Sequence, residues 1–412
     1  MLKLIQDGRA AAPVPRQRKS FLWYLVARSA AIIGYQMAGV AVGWQVYELT
    51  QRPLDLGLVG LVQFIPSALL VLVVGHAADR YNRRMLVCCA QLSEMAALLV
   101  LAVATGGEWI NRENIFALVF VIGTARAFEF TTMQTLLPSL VRREDLPRAM
   151  AVNASVSQGS IIIGPMLGGF MYVMGPAVVY GAGCLMFLLS VLVIARIRIS
   201  HSVPSREPVS IRTLFAGISF IRHRPVLLGA ISLDLFAVLL GGATALLPIY
   251  ARDILFASPR GLGLLRAAPA VGAFLASLWL VRHPLRRRVG AVMFASVALF
   301  GIATIIFAVS TSLMVSFLTL VLLGGADMIS VVIRSALVQL ETPDEMRGRV
   351  SAVNSMFIGA SNQLGEFESG VTAAWFGVVP ATIIGGVGTL LVVGLWRSLF
   401  PQLACRDKLL SE

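Results

Sequence analysis

Gly75-His76-Ala77-Ala78-Asp79-Arg80-Tyr81-Asn82-Arg83-Arg84 is the stretch on which the fold turns. Apolar runs flank it on both sides, at 54–74 and 85–104. Each is long enough to cross a bilayer as a helix, which takes about 20 residues. The decapeptide therefore reads as a tight charged hairpin between two membrane helices. Gly75 lets the first helix end close against its neighbours. Asp79 suits the positive N-terminus of a helix. Arg80, Arg83 and Arg84 are excluded from lipid and hold the hairpin on the cytoplasmic side.

Composition agrees with a polytopic membrane protein. Of 412 residues, 57% are hydrophobic and 13% charged, and the mean hydropathy is +0.82. Soluble domains carry about 25% charged residues. No secretory signal pattern is present, because the first apolar run continues into further spans. The net charge of +13 does not require a nucleic-acid partner. Arg52, Arg112, Arg252 and Arg260 fall in loops opposite Arg80, and Arg28, Arg126, Arg266 and Arg334 fall inside spans. The other Lys and Arg cluster in the tails and the loops on the Arg80 side, which predicts two cytoplasmic termini. Cys88, Cys89, Cys184 and Cys405 have no C-x-x-C spacing, so no disulfide, metal or cofactor is expected. The four histidines fall at cytoplasmic edges, which argues against a histidine relay within the membrane.

Twelve spans are predicted, near 21–48, 54–75, 85–105, 115–140, 147–174, 177–196, 226–250, 259–281, 289–309, 313–339, 347–376 and 379–400. The uncharged run 149–195 is too long for one span, and Gly175-Pro176 divides it. The domains are a cytoplasmic tail 1–20, a six-helix bundle 21–198, a linker 199–225, a second six-helix bundle 226–400 and a tail 401–412. In the linker Ile211, Leu214, Phe215, Ile218 and Ile221 recur at helical spacing, which predicts an amphipathic helix on the membrane surface. The halves repeat. Gly60-Leu61-x-Gln63-x-x-Pro66 returns as Gly263-Leu264-x-Arg266-x-x-Pro269, and Tyr47 returns at the same offset as Tyr250. Ala151-Val152-Asn153 returns as Ala352-Val353-Asn354, and Gly123, Gly164 and Gly169 return as Gly324, Gly365 and Gly370. In the second copy of the basic hairpin Arg282 takes the place of Asp79, and only Arg286 and Arg287 persist.

The pattern G-x-x-x-D-R-x-x-R-R at 75–84 resembles the loop 2–3 signature of the major facilitator superfamily of transporters, with Asn82 where a glycine is usual. That resemblance covers about 21–400. It implies an all-α membrane protein of twelve helices, two six-helix bundles in pseudo-twofold repeat around a mid-membrane cavity, working by alternating access. In span 5, Gly164-Pro165-Met166-Leu167-Gly168-Gly169 resembles the G-P-x-x-G-G end of the antiporter motif, without its upstream glycines. The glycines permit close helix approach, and ordinary small-residue packing would look the same. In span 4, Ile122-x-x-x-Arg126-x-x-Glu129-Phe130 resembles the drug–proton antiporter motif. The stretches Leu136-x-Pro138-x-Leu140-Val141-x-Arg143-Glu144-Asp145-Leu146 and 342–350, with Ala78-Asp79-Arg80-Tyr81, resemble the enterobactin-exporter branch, which includes siderophore exporters and multidrug efflux proteins of bacterial inner membranes.

Arg126 and Glu129, three residues apart, share one helix face. A charge near the bilayer centre costs at least about 2.5–3.5 kcal/mol on insertion scales, so a role is expected. Two readings are open: Glu129 exchanges a proton while Arg126 tunes it, or the two form a fixed neutral pair. Asp327 stands at the repeat position of Arg126, with Arg334 on the same face, so opposite charges could attract the bundles across the cavity. Asp234 and Glu366 are further proton-coupling candidates. Glu368 lies about 200° around the helix from Glu366, so both cannot face one cavity. Glu94, in a span peripheral in this fold, is expected to pair with a helix end, and Arg28 to snorkel to the interface. Arg266 is open to two roles, an anion contact or a salt bridge to Asp234. Tyr35, Gln36, Gln63, Gln158, Asn362 and Gln363 are uncharged polar groups at cavity depth, for which core packing is the plainer alternative. No Walker A, H-E-x-x-H or G-x-S-x-G motif occurs, so no enzyme is expected. The reading is a proton-coupled exporter, as a monomer, of a siderophore or similar amphipathic small molecule. The alternatives are import of a small anion or metal–siderophore complex, and a sensor that does not translocate.

Overall fold

A computed structural model of the chain describes residues 15–70, 73–74, 77, 80–142, 144–197, 211–285 and 287–408. The described residues are helical throughout, as lipid requires of any open chain crossing it, since every backbone N–H and C=O must be satisfied internally. The helices are α1 Pro15–Thr50, α2 Pro53–Leu69, α3 Arg83–Gly106, α4 Arg112–Leu136, α5 Leu146–Tyr172 and α6 Pro176–Ala195. A linker helix, Ile211–Arg222, follows. The second half holds α7 Pro225–Leu240, α8 Pro259–Arg282, α9 Val289–Val309, α10 Leu313–Glu341, α11 Asp344–Phe376 and α12 Val378–Leu399. Pro occupies the first turn of α2, α6, α7 and α8, where no N–H partner is lost. Gly175, between α5 and α6, has φ of 110°, and Gly377, between α11 and α12, has φ of 88°. These turns divide α5 from α6 and α11 from α12 at matching points of the repeat.

The packing is itself a repeat. In the first half α1 packs on α5 and α6, α3 on α4 and α6, and α2 on α4. The second half reproduces each contact six helices on: α7 on α11 and α12, α9 on α10 and α12, α8 on α10. The bundles meet through α2 against α11 and α5 against α8, again a symmetric pair. Among the described residues nine helices are long and apolar enough to cross a membrane. α2 falls short by length, and α5 and α11 by polarity. Those three helices lie on the seam between the bundles, where polar side chains line an interior and not lipid.

Two local expectations change. α7 stops at Leu240, where Gly241-Gly242 breaks it, and the chain continues as a 3-10 turn, a helical turn and a π turn to Ile254. The linker helix does not lie free on the membrane surface. It packs on α11, so closely that a Cβ on Gly217 would sit 2.9 Å from the Arg349 carbonyl oxygen, and Ile221 joins the core beside α7. Its apolar stripe is thus divided between protein and surroundings, with Phe215 outward.

Candidate functional site

At mid-height of the first bundle a polar cluster joins four helices. Arg126 Nη1 ion-pairs with Glu129 Oε2 within α4, as their spacing predicts. Glu129 is 0% exposed, whereas Arg126 keeps 20% of its side chain open. Gln91 Nε2 of α3 donates to Glu129 Oε1 at 3.3 Å. The Arg126 guanidinium lies over the Tyr35 ring of α1, 4.4 Å from its centroid, and the Tyr35 hydroxyl donates to Gln63 Oε1 of α2 at 3.1 Å. Glu94 of α3 is wholly buried and lies within electrostatic reach of Glu129 and Arg126. It does not cap a helix end. Nor does Arg28 snorkel: it is buried, its guanidinium 5.6 Å from the Phe130 ring centroid, with Nε and Nη1 unpartnered. Its guanidinium lies against Phe130 of α4.

The second bundle has its own buried ion pair. Asp234 of α7 pairs with Arg334 of α10 and also accepts from Ser330 Oγ at 3.1 Å. Arg266 therefore does not bridge to Asp234, which faces α10 and not α8. Asp327 shares a small pocket with Asp234, Ser330, Val297 and Phe300. It feels Asp234 and Arg334 and does not reach across to Arg126, which Glu129 already holds. Arg126 and Arg334 are thus each neutralised within their own bundle.

Between the bundles Arg266 and Glu366 lean onto glycine surfaces of the opposite half. Arg266 Nη2 would lie 2.8 Å from a Cβ on Gly43 of α1, and Glu366 Oε2 would lie 2.5 Å from one on Gly60 of α2. Tyr35 is near enough to Arg126, Glu366, Glu94 and Arg266 to feel all four charges, so it links the first cluster to the seam. Gln158 Nε2 of α5 donates across the seam to the Ala270 carbonyl at 3.1 Å. Gln363 faces Gly60 with its Oε1 buried and unpartnered. Gln36 packs its Cβ against Gly164. Asn362 is exposed and donates to its own helix at Ile358. Glu368 accepts from Thr372 on its own helix, turned from Glu366 as the helical angle requires.

Gly164 and Gly168 seat α5 on α1, with Cβ positions 2.6 Å from Gln36 Cβ and 3.0 Å from Met37 Cα. Gly169 faces the other way, across the seam: its Cβ would lie 2.5 Å from the Pro259 carbonyl and 2.8 Å from Gly263 Cα. Pro165 supplies the carbonyl that Gly263 approaches. The symmetric contact is Gly370 on Gly57, with a Cβ 2.7 Å from Gly57 Cα. Both glycine contacts lie at the end of the molecule away from Arg80. There Tyr47 of α1 also hydrogen-bonds Asp253, and Arg260 covers the Phe170 ring at 5.9 Å. Midway along α5 and α11 a Cβ on Gly159 or Gly359 would meet nothing within 4 Å. The bundles are in contact at the end away from Arg80.

In the basic hairpin Arg84 Nη1 donates to the Ile197 carbonyl at 3.2 Å and Arg83 Nη1 to the Thr135 carbonyl at 3.4 Å, so both brace the ends of neighbouring helices. Arg80 is exposed. Gly75 and Asp79 lie outside the described residues. Asn82 caps α3, accepting from the Arg84 and Met85 amides, which explains an asparagine where the signature has glycine.

The family of transmembrane secretion effectors, within the major facilitator superfamily, matches residues 10–408. The chain belongs to this family. It is a multi-pass membrane transporter of a small molecule and not an enzyme. The enterobactin exporter EntS of Salmonella typhimurium is 26% identical over 382 residues, 91% of this chain and 91% of that protein. EntS of Escherichia coli strain SMS-3-5 is 24% identical over 404 residues, 94% of this chain and 96% of that one. Among solved structures, the nucleoside transporter NupG superposes with a TM-score of 0.71 at 12% identity, covering 92% of this chain and 99% of its own. A bacterial homologue of the human lysosomal transporter Spinster gives 0.73 at 13% identity, covering 95% and 98%. At those identities the structures establish the shared fold.

Proposed function

We propose that the protein is a proton-coupled exporter that moves a siderophore, enterobactin or a similar amphipathic compound out of the bacterial cytoplasm across the inner membrane, acting as a monomer. The observation that carries this reading is the Arg126–Glu129 pair, with Glu129 sealed from solvent and Arg126 partly open. The names of the relatives support export and the substrate class. The positive-inside rule makes the Arg80 face cytoplasmic, which puts both termini in the cytoplasm and the glycine contacts of the seam at the outer face.

The substrate enters between α2, α5, α8 and α11. Tyr35, Gln36, Gln63, Gln158, Asn362 and Gln363 offer it hydrogen bonds, and Arg266 a positive charge. While Glu129 is ionised it fixes Arg126 on the α4 wall. A proton arriving on Glu129 removes that attraction and frees Arg126, which lies on the Tyr35 ring, to move. Tyr35 reports the change to Gln63, Arg266 and Glu366 at the seam. A conformational change follows only from such a difference in contacts between states. Asp234 and Asp327 are the second pair of proton candidates. Gly75, Asp79, Arg80, Arg83 and Arg84 close the cytoplasmic mouth in the alternate state, and Gly164, Pro165, Gly168 and Gly169 form the hinge surface along which α5 moves.

Inverted membrane vesicles test the direction of transport. With an acidic interior imposed, vesicles containing the protein accumulate enterobactin, and a protonophore abolishes the accumulation. Accumulation that ignores the gradient, or that occurs only in right-side-out vesicles, overturns the reading.

A further inference from the structure

Glu94 is the one acid of the first cluster that the exchange above does not use. Its side chain is 0% exposed, and neither carboxylate oxygen has a hydrogen-bond partner. The nearest amide donor on its own face of α3, Gln91, three residues away, is bonded to Glu129. The charged groups around it come from the packed helices. α4 presents Glu129 and Arg126. α1 presents Tyr35, whose hydroxyl is directed to Gln63, while Arg28 of α1 is linked electrostatically to Glu129, Tyr24 and Arg126. α6, the other helix packed on α3, contributes no charged residue. An ionised carboxylate there would have a like charge beside it, no donor of its own and an arginine already paired. Buried charges are stable only when paired or hydrogen-bonded.

We propose that Glu94 and Glu129 form a proton-sharing pair around Arg126, in which Glu94 holds the proton while Glu129 holds the arginine. One proton on two carboxylates brings the buried group of Arg126, Glu94 and Glu129 to zero net charge, the state least costly to bury in a membrane. When Arg126 leaves Glu129, the proton passes from a Glu94 oxygen to a Glu129 oxygen. Glu94 then becomes the carboxylate and the seat for the guanidinium, so charge is conserved while Arg126 moves from the α4 side toward α3. Glu94 is thereby a coupling residue on a helix that offers no surface to the seam. Its use in transport rests on the proton-coupled reading, and its protonation does not.

The test uses the full-length protein in liposomes and dicyclohexylcarbodiimide, an apolar reagent that attacks protonated carboxyls, with modified residues mapped by mass spectrometry across pH. At neutral pH Glu94 is modified while the exposed Glu113 is not. Glu129→Gln frees Arg126 for Glu94 and moves the loss of Glu94 modification to lower pH; each pKa unit of that move is about tenfold in modification at pH above the transition. The wild-type labelling does not depend on any variant folding. An unmodified Glu94, or a pH profile indifferent to Glu129→Gln, overturns the pair. In Glu94→Gln, substrate-driven proton movement is lost and substrate binding is kept; persistent proton movement overturns the coupling role of Glu94. If labelling follows the pair but the wild type moves no protons with any substrate, the pair stands and the proton-coupled reading fails.

Discussion

Gly169 offers the sharpest test of how the two bundles meet. Replacing it with alanine puts a methyl carbon 2.5 Å from the Pro259 carbonyl oxygen and 2.8 Å from Gly263 Cα, both backbone atoms of α8. Ordinary carbon contacts begin near 3.5 Å, so α5 and α8 must part by about 1 Å at this point. Overpacking of this kind costs about 1–3 kcal/mol. The gain in helix propensity, up to about 1 kcal/mol, is the same in every conformation and cancels. The equilibrium should therefore shift by about 5- to 150-fold toward states in which this end is open. Gly159→Ala is the control, because its methyl group meets nothing within 4 Å. Met174 and Phe256, 65% and 86% exposed at the closed end of opposite bundles, take spin labels as Met174→Cys and Phe256→Cys once the native cysteines are replaced. Pulsed electron resonance should show a longer distance gaining population in Gly169→Ala and not in Gly159→Ala. Identical distance distributions in the two variants would refute the glycine contact as the closing surface.

Three further outcomes follow from the described contacts. Arg334→Met leaves Asp234 buried without its partner, which costs about 3–5 kcal/mol and lowers the thermal unfolding midpoint; adding Asp234→Val should recover most of the loss, and a double variant no better than the single contradicts the ion pair. Asn82→Ala removes the cap of α3, costing about 1 kcal/mol, whereas Asn82→Gly costs a few tenths; amide exchange at Arg84 and Met85 should quicken in both variants, since neither supplies a side-chain oxygen, and unchanged exchange in both argues against the cap. Tyr47→Phe removes the cross-bundle hydrogen bond to Asp253, worth about 1 kcal/mol net, and should raise the open population in the same spin-label pair about fivefold; no change there would mean the bond does not hold the closed end.

The sequence carried most of the architecture because its signals are local or repeated. The basic hairpin, the Gly175-Pro176 break and the matching glycines needed only spacing to read, and the symmetric packing of α1–α6 and α7–α12 follows from them. The Arg126–Glu129 pair was legible because both residues sit on one helix. The residues that were misjudged depend on how helices are rotated against one another. Glu94 was expected at the periphery because nothing in α3 alone says that its acidic face turns toward α4. Asp234 and Arg334 lie on α7 and α10, and their pairing takes up the carboxylate that was one of the two partners open to Arg266. Arg28 sits about two turns inside the span predicted from residue 21, so a snorkelling side chain and a buried one share the same sequence context. Two signals were present and unused. Asn82 ahead of a helical run is a cap residue, and Gly241-Gly242 marks the end of α7.

The central claim is that substrate movement is coupled to a proton through Glu129. Purified protein in liposomes carrying an internal pH dye measures it directly. A proton gradient is imposed, and catecholate siderophores and cationic amphiphiles are added in turn. The account predicts that at least one catecholate siderophore drives proton movement and that Glu129→Gln abolishes this movement while still binding the compound. Siderophore exchange without any proton movement, or coupled proton movement unchanged in Glu129→Gln, would contradict it.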